Sequence, residues 1–198
     1  MLRGTYKRYA KYQKNTKPTL QNQITSLKYT VGHLKPETQY FRGVGNHTSS
    51  SGGTEIVNLL PTGNLIGSSG FRDNVTGDRW VNKFLKLRFV AEPSNTLLRV
   101  IVYFPKKTGT RFAPSSFATV TIPDPSNMWV LMDRTITEKD ASGKFSFNAL
   151  VNLKGKHTIY DSNGATIERG ELIVAVMSSG SANELQYSYG YELGYCNK

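Results

Sequence analysis

Acidic residues are scarce in this chain, and none occurs before Glu37. The first 36 residues carry eight positive charges and no negative one: Arg3, Lys7, Arg8, Lys11, Lys14, Lys17, Lys28 and Lys35. The other 162 residues (198 less 36) hold 17 Lys and Arg (25 less 8) against 14 Asp and Glu, which is only +3 of the net charge of +11. A basic excess confined to one segment indicates a polyanionic partner such as nucleic acid.

Cysteine and histidine are also rare, and their scarcity excludes several kinds of chemistry. The single cysteine, Cys196, excludes an intramolecular disulfide framework. With only three histidines, the chain does not supply the four Cys or His ligands of structural zinc. It has neither a G-x-S-x-G nucleophile motif nor a phosphate-binding G-x-x-x-x-G-K-[ST] loop. We therefore expect no enzyme activity, no cofactor and no metal site.

Calcium is the one metal for which the sequence leaves an alternative. Five aspartates could join a site at a subunit interface, although turn capping and surface charge are the favoured roles: Asp73, Asp78, Asp124, Asp133 and Asp161.

Long hydrophobic runs are missing as well. No apolar stretch approaches the ~20 residues that cross a bilayer, and the N-terminus lacks the apolar core of a signal peptide. We expect no membrane partner and no secretion. Hydrophobic residues make up 38% of the chain, and 18 Gly and 8 Pro supply turn formers. This mixture favours many short strands over helices.

The hydrophobic pattern from about residue 38 onward has a period of two, which predicts strands with one buried face. It is clearest in Leu185–Tyr195 and Phe145–Leu153. With six further candidates the count is eight: 39–44, 55–60, 79–91, 97–104, 128–137, 145–153, 171–177 and 185–195. Segment 171–177 has apolar residues at both parities, so we expect a central strand that is covered on both faces. The long connections 61–78 and 105–127 favour Greek-key pairing. The predicted fold is all-β, an eight-stranded antiparallel jelly-roll sandwich over residues 37–198 with a basic N-terminal arm.

Residues 1–36 are predicted to form that arm, partly helical or disordered. Tyr6, Tyr9 and Tyr12 recur at helical spacing, and Pro18 would end such a helix. Lysines and arginines neutralise phosphates, and tyrosines stack on unpaired bases. The predicted nucleic-acid-binding residues are Arg3, Lys7, Arg8, Lys11, Lys14, Lys17, Tyr6, Tyr9 and Tyr12. The alternatives for the arm are a solubilising tail and a nuclear import signal.

Two further basic clusters lie within the predicted sandwich. Lys106, Lys107 and Arg111 form a second cluster that could also touch nucleic acid, and Lys154, Lys156 and His157 form a third. Both clusters are interpreted first as solvated surface. Trp80 and Trp129 each begin a strand and are interpreted as core or sheet-edge residues, with carbohydrate recognition as the alternative.

The order of elements resembles a known group of viral coat proteins. The stretch that indicates this most clearly is Arg72-Asp-Asn-Val-Thr-Gly-Asp-Arg79, a Gly-Asp turn before the strand from Trp80 to Val90. Then follow the strand Arg99–Phe104, a long loop, the segment Val130–Thr137 and the turn Ile159–Gly164. In this order the chain resembles the single-jelly-roll coat proteins of satellite tobacco necrosis virus and of circular Rep-encoding single-stranded DNA viruses. It departs from them in the arm, which is rich in lysine and tyrosine and has only two arginines.

The resemblance implies a capsid subunit that performs no catalysis. We expect self-assembly into a small icosahedral T=1 shell of about sixty copies with the arms inward. The arm would package single-stranded genomic nucleic acid, with DNA favoured over RNA, and the protein would be found in the virion and in the host nucleus or cytoplasm during assembly. The rival hypotheses are a non-viral single-stranded nucleic-acid-binding β-module and a jelly-roll lectin.

Overall fold

In the computed structural model the chain divides into two units, Met1–Lys35 and Pro36–Lys198. The residues that the structure describes are 19–33, 37–49, 55–60, 79–92, 97–112, 120–161, 166–178 and 185–197. No helix in this part of the chain is long and apolar enough to cross a membrane.

In the first unit the described residues form one helix, α1, Leu20–His33. Thr19 caps its N-terminus, because its side-chain Oγ1 accepts the backbone N–H of Asn22 at 3.3 Å. The helical part of the arm was expected at the tyrosines before Pro18, which lie outside the described residues. The helix α1, after Pro18, was not expected. The signals for α1 were the cap at Thr19 and the apolar residues Leu20, Ile24 and Leu27, spaced four and three apart.

The second unit is built from β-strands. In chain order they are β1 Gln39–Ser49, β2 Glu55–Asn58, β3 Arg79–Glu92, β4 Leu98–Pro105, β5 Met128–Ile136, β6 Phe145–Asn152, β7 His157–Tyr160, β8 Ile167–Arg169, β9 Ile173–Ser178 and β10 Leu185–Asn197.

These strands form two antiparallel sheets whose order is that of a jelly roll. The first sheet runs β1-β10-β3, with β6 and β7 both paired to β3 and β8 paired to β7. The second runs β2-β9-β4-β5. The chain therefore passes back and forth between the sheets, as two interleaved Greek keys require. The predicted all-β jelly-roll fold is confirmed.

The structure differs from the prediction in describing two additional short strands. β6 and β7 follow one another along the same edge of β3. Two hydrogen bonds continue the ladder between them: the Leu153 N–H donates to the Lys83 carbonyl at 2.9 Å, and the Asn82 N–H donates to the Lys156 carbonyl at 2.8 Å. Only Lys154 and Gly155 loop out between them, both with positive φ, 53° and 65°. β7 and β8 are four and three residues long, too short for an alternation that sequence reading could detect.

The core lies between the two sheets and contains a group of stacked aromatic rings. Trp80, at the start of β3, has no exposed surface and stacks on Tyr195 with ring centroids 4.2 Å apart. Tyr160 also packs against Trp80, in a tilted arrangement with ring centroids 5.1 Å apart. Aromatic pairs of this kind contribute about 0.5–1.5 kcal/mol beyond the area that they bury. They fix the ends of β3, β7 and β10 relative to each other.

Strand β9 is buried along its whole length, as its apolar residues at both parities predicted. It lies between β2 and β4. A second apolar cluster joins residues of β4 and β9 to Phe112 and Met128. Phe112 is held there by its backbone N–H, which donates to the Tyr103 hydroxyl at 2.9 Å.

Gly170 is a position where only glycine fits. Its φ is +80°, and a Cβ atom there would overlap the carbonyl oxygen of His157. We predict that Gly170→Ala lowers the free energy of unfolding by at least about 3 kcal/mol, because both backbone strain and the overlap must be relieved. Gly143 is the matched control, since its φ is +78° and no atom lies within 4 Å of its added Cβ. Gly143→Ala should cost about 1 kcal/mol. Urea denaturation measures both, and equal losses would contradict the prediction.

Candidate functional site

A cavity of about 570 Å³ opens at one end of the sandwich. The antiparallel register brings its parts together: Phe104 of β4 is paired with Trp129 of β5, and Arg79 of β3 with Ile159 of β7. The turn between β6 and β7 and the end of β8 complete the wall. The charged, aromatic and imidazole side chains that line the cavity are Arg79, Phe104, Lys106, Trp129, Lys154, Lys156, His157 and Arg169.

The side chain at the centre of this arrangement is Trp129, which remains 39% exposed. The Nζ of Lys156 lies 3.5 Å from the centroid of its ring, and the Nζ of Lys106 lies 5.6 Å away. Each cation–π contact at an exposed ring contributes about 0.5–1 kcal/mol. Trp80 fits its interpretation as a core residue, whereas Trp129 presents an aromatic surface among cations.

The cavity is strongly electropositive. Five cations line it, Arg79, Lys106, Lys154, Lys156 and Arg169, and within the described part of the chain neither Asp nor Glu is among the lining residues. None of the ion pairs found between described residues uses these cations. Asp124 interacts electrostatically with Lys106 but is not among the residues that line the cavity. Its pKa is lowered mainly by hydrogen bonds from Ser126, with Lys106 a smaller cause.

Four cations outside the cavity are compensated by carboxylates. On the first sheet Glu192 pairs with both Arg42 and Lys86, at 2.6 and 2.7 Å. On the second sheet Arg99 forms two hydrogen bonds to the carboxylate of Asp133. The cavity therefore differs from these surfaces in carrying positive charge without a described partner acid.

The two lysines of the β6–β7 turn are held in place by the backbone. Lys154 adopts a φ of 53°, a left-handed conformation that costs a non-glycine residue about 1 kcal/mol. Its N–H donates to the Asn152 side chain at 2.8 Å, and the N–H of Lys156 donates to the Leu153 carbonyl at 3.0 Å. Backbone strain of this kind is found preferentially at functional sites.

A buried chain of hydrogen bonds joins the elements that carry part of the cavity lining. The Asn82 side-chain amide donates to Thr158 Oγ1 at 2.7 Å, and Thr158 Oγ1 donates to the Gly170 carbonyl at 2.8 Å. Asn82 and Thr158 have no exposed surface. This chain ties β3 to β7 and to the segment after β8, so Arg79 at the start of β3 and Arg169 next to Gly170 keep their spacing.

The predicted second basic cluster is split by the structure. Lys106 lines the cavity, the neighbouring Lys107 is exposed and is not among the lining residues, and Arg111 is engaged elsewhere. Both terminal nitrogens of Arg111 donate to the Glu171 carboxylate at 2.8 Å, and the Gly109 N–H donates to the same carboxylate at 2.8 Å. Binding of nucleic acid by these three residues stays a prediction.

The third cluster has neighbours in the structure that the sequence did not predict. Lys154, Lys156 and His157 lie with Lys106 and Trp129 around one cavity, although these segments are far apart in the sequence. The only signal for this meeting was the register of the strands. The predicted arm residues Arg3, Lys7, Arg8, Lys11, Lys14, Lys17, Tyr6, Tyr9 and Tyr12 lie outside the described residues.

The aspartates considered for calcium have other partners where they are described. Asp124 accepts hydrogen bonds within its own turn from Ser126 and Asn127, and Asp133 pairs with Arg99. Asp161 accepts from Thr166 Oγ1 at 2.7 Å. Among the described residues no group of three or more His, Cys, Asp or Glu could hold a metal ion. Asp73 and Asp78 lie outside the described part.

Comparison with known proteins finds structural neighbours but no family. No protein-family model matches the chain, and no curated protein matches its sequence. Among solved structures it is similar to the cryo-EM structure of Mud crab tombus-like virus, over 83% of each chain, with 13% identity and a TM-score of 0.36. An overlap this low supports no conclusion about function, and the fold assignment rests on the strand order. The resemblance to satellite and circular single-stranded DNA virus coat proteins stays a prediction.

The Arg111–Glu171 pair predicts a pH dependence of stability. Hydrogen bonds from Arg111, and then from the Gly109 amide, hold the pKa of the Glu171 carboxyl below its ordinary value of 4.5. The folded state thus binds fewer protons at this site than the unfolded state, so the stabilisation is complete above about pH 4.5 and is lost as the pH falls through the lowered pKa.

Glu171→Gln should cost about 2 kcal/mol at neutral pH and should flatten the acid limb of the stability curve. Urea denaturation across pH measures this. Glu138→Gln, at an exposed position, should keep the wild-type limb, and an unchanged limb in Glu171→Gln would contradict the assignment.

Proposed function

We propose that this chain is a viral coat protein that assembles into a small icosahedral shell and packages single-stranded nucleic acid. The observation that carries the proposal is the jelly-roll strand order, β1-β10-β3 with β6 and β7 in one sheet and β2-β9-β4-β5 in the other. It occurs in a chain whose first 36 residues contain basic but no acidic side chains. Jelly rolls of this kind form viral capsid and lectin domains. The basic segment favours the capsid over the lectin.

The proposed mechanism is charge neutralisation coupled to assembly. Of the net charge of +11, eight charges belong to the first 36 residues. About sixty copies in one shell would concentrate these charges inside, where they would repel each other unless a polyanion entered. Each phosphate contact releases condensed counterions, which gives strong attraction without sequence preference. The arm is therefore assigned the packaging role, and DNA is the favoured genome because of the resemblance described above.

Catalysis is not part of the proposal. Cys196, the one cysteine, is buried in the structure. The cavity around Trp129 presents cations and an indole, and it has no carboxylate among its described lining residues that could act beside a nucleophile. The protein would act by binding and by association with copies of itself.

The lectin alternative receives less support from the cavity. Sugar hydroxyls are recognised by side chains that both donate and accept hydrogen bonds. In the described lining, Lys and Arg only donate, neither Asn, Gln, Asp nor Glu is present, and His157 is the one side chain that can both donate and accept. The non-viral single-stranded nucleic-acid-binding module stays an alternative, which differs from the coat protein in its assembly state.

The proposal predicts particles in the megadalton range that protect nucleic acid from nuclease. In Lys7→Gln/Lys11→Gln/Lys14→Gln, protected nucleic acid per particle should fall severalfold, and the slope of log affinity against log salt should decrease by about 2, because each lost phosphate contact removes about 0.7. The matched control, Lys83→Gln/Arg88→Gln/Lys139→Gln, removes the same charge at exposed positions of the sandwich and should package normally. Light scattering after size exclusion, with nuclease protection, measures both properties. A chain that stays monomeric with nucleic acid present, or an arm variant that packages as much as the control, would contradict the proposal.

A further inference from the structure

We infer that the cavity around Trp129 binds one nucleotide of a single-stranded nucleic acid, with the base on the indole and the flanking phosphates on the surrounding cations. This site is distinct from the arm, and its choice of ligand rests on the proposed function. The inference depends on residues of the sandwich alone.

The charges of the lining select an anion rich in hydrogen-bond acceptors. Arg79, Lys106, Lys154, Lys156 and Arg169 all donate hydrogen bonds and accept none. They come from four separate segments of the chain and line the same cavity as Trp129. No described acid lies in the lining to neutralise them. Phosphate, with its negative charge and its acceptor oxygens, satisfies these groups better than a neutral ligand does.

Trp129 selects a ligand that also has a flat π-face. Its ring is 39% exposed, and Lys156 Nζ covers it at 3.5 Å from the centroid. A cation on an exposed ring is weakly held, whereas a base stacked on an aromatic ring contributes more. When a nucleotide binds, the base therefore replaces the ammonium group on the indole, and Lys156 moves to a phosphate. One residue thus protects the ring in the free protein and neutralises charge in the complex.

A single strand suits this geometry better than a duplex or a sulfated sugar. A duplex keeps its bases stacked on each other and offers no free base face, whereas unpaired bases can be splayed onto aromatic side chains. A sulfated sugar would satisfy the cations but would leave the indole without a stacking partner. The cavity, at about 570 Å³, falls within the range of small-ligand sites.

Tryptophan fluorescence of the full-length protein tests the inference directly. The chain has two tryptophans, and Trp80 is fully buried, so a change in emission on adding ligand reports on Trp129. The arm contains no tryptophan, so binding there leaves the emission unchanged. We expect saturable quenching by pentathymidylate, and no such quenching in Trp129→Phe. Tripolyphosphate and a sulfated hexasaccharide of matched charge are the probes without a base, and they should quench weakly.

Affinity measurements in the Lys7→Gln/Lys11→Gln/Lys14→Gln background isolate the cavity from the arm. There Trp129→Ala should weaken pentathymidylate binding about tenfold, the loss expected for one stacked base. Lys106→Gln/Lys156→Gln should lower the salt slope by about 1.4. The matched control, Lys83→Gln/Lys139→Gln, removes two exposed charges outside the cavity and should behave as the background does.

The outcomes separate this inference from the proposed function. Absence of quenching by pentathymidylate, or equal effects of the cavity pair and the control pair, would overturn the nucleotide site even if particles form and package normally. Equal quenching by the sulfated hexasaccharide would overturn it in favour of an anionic-sugar site. Quenching by pentathymidylate that is lost in Trp129→Phe supports the site, including in a protein that never forms particles.

Discussion

The pairing of β3 with its neighbours is the constraint on which the rest of the structure depends. β3 is bonded to β10 along one edge and to β6 and β7 along the other, and Trp80 at its start is stacked on Tyr195. The ladder with β10 contains one irregularity, where Gly194 faces Phe84 and Tyr195 faces Asn82, so that Lys83 is the extra residue. Such a bulge reverses which residues point inward. It allows Trp80 and Leu85 to be buried on one strand although their spacing is odd. Without this shift, one half of β3 would turn its apolar residues outward.

Strands with a long, regular alternation could be predicted from the sequence, and the meeting of distant segments could not. β6 alternates over its eight residues and β10 over most of its thirteen, and their period alone predicted them. β7 and β8 depend instead on pairing with strands already in place, which local pattern does not record. α1 was missed because its signals, Thr19 and three spaced apolar residues, are weaker than the tyrosine series before Pro18. The Trp129 cavity joins residues 79, 106, 129, 154–157 and 169, so that only the three-dimensional register shows it.

The cations of the sandwich have different surroundings, which their positions in the sequence do not indicate. Arg111 and Arg99 are bound to carboxylates within the fold, and they act in stability. Lys106 and Lys156 lie against an indole, where an ammonium group is held loosely. The two groups are indistinguishable in a composition table. The pairing of Arg111 with Glu171 could be found only once β4 and the segment before β9 were known to be neighbours.

The turn formed by Lys154 and Gly155 lies outside the hydrogen-bonded ladder, since the flanking residues Leu153 and Lys156 continue the bonds to β3. Both tip residues have positive φ, so residues that tolerate a left-handed backbone can be exchanged there without breaking a hydrogen bond of the ladder. The rim of the cavity can therefore change in charge while the sandwich keeps its shape. In this molecule, the charge of the cavity and the architecture of the scaffold can change separately.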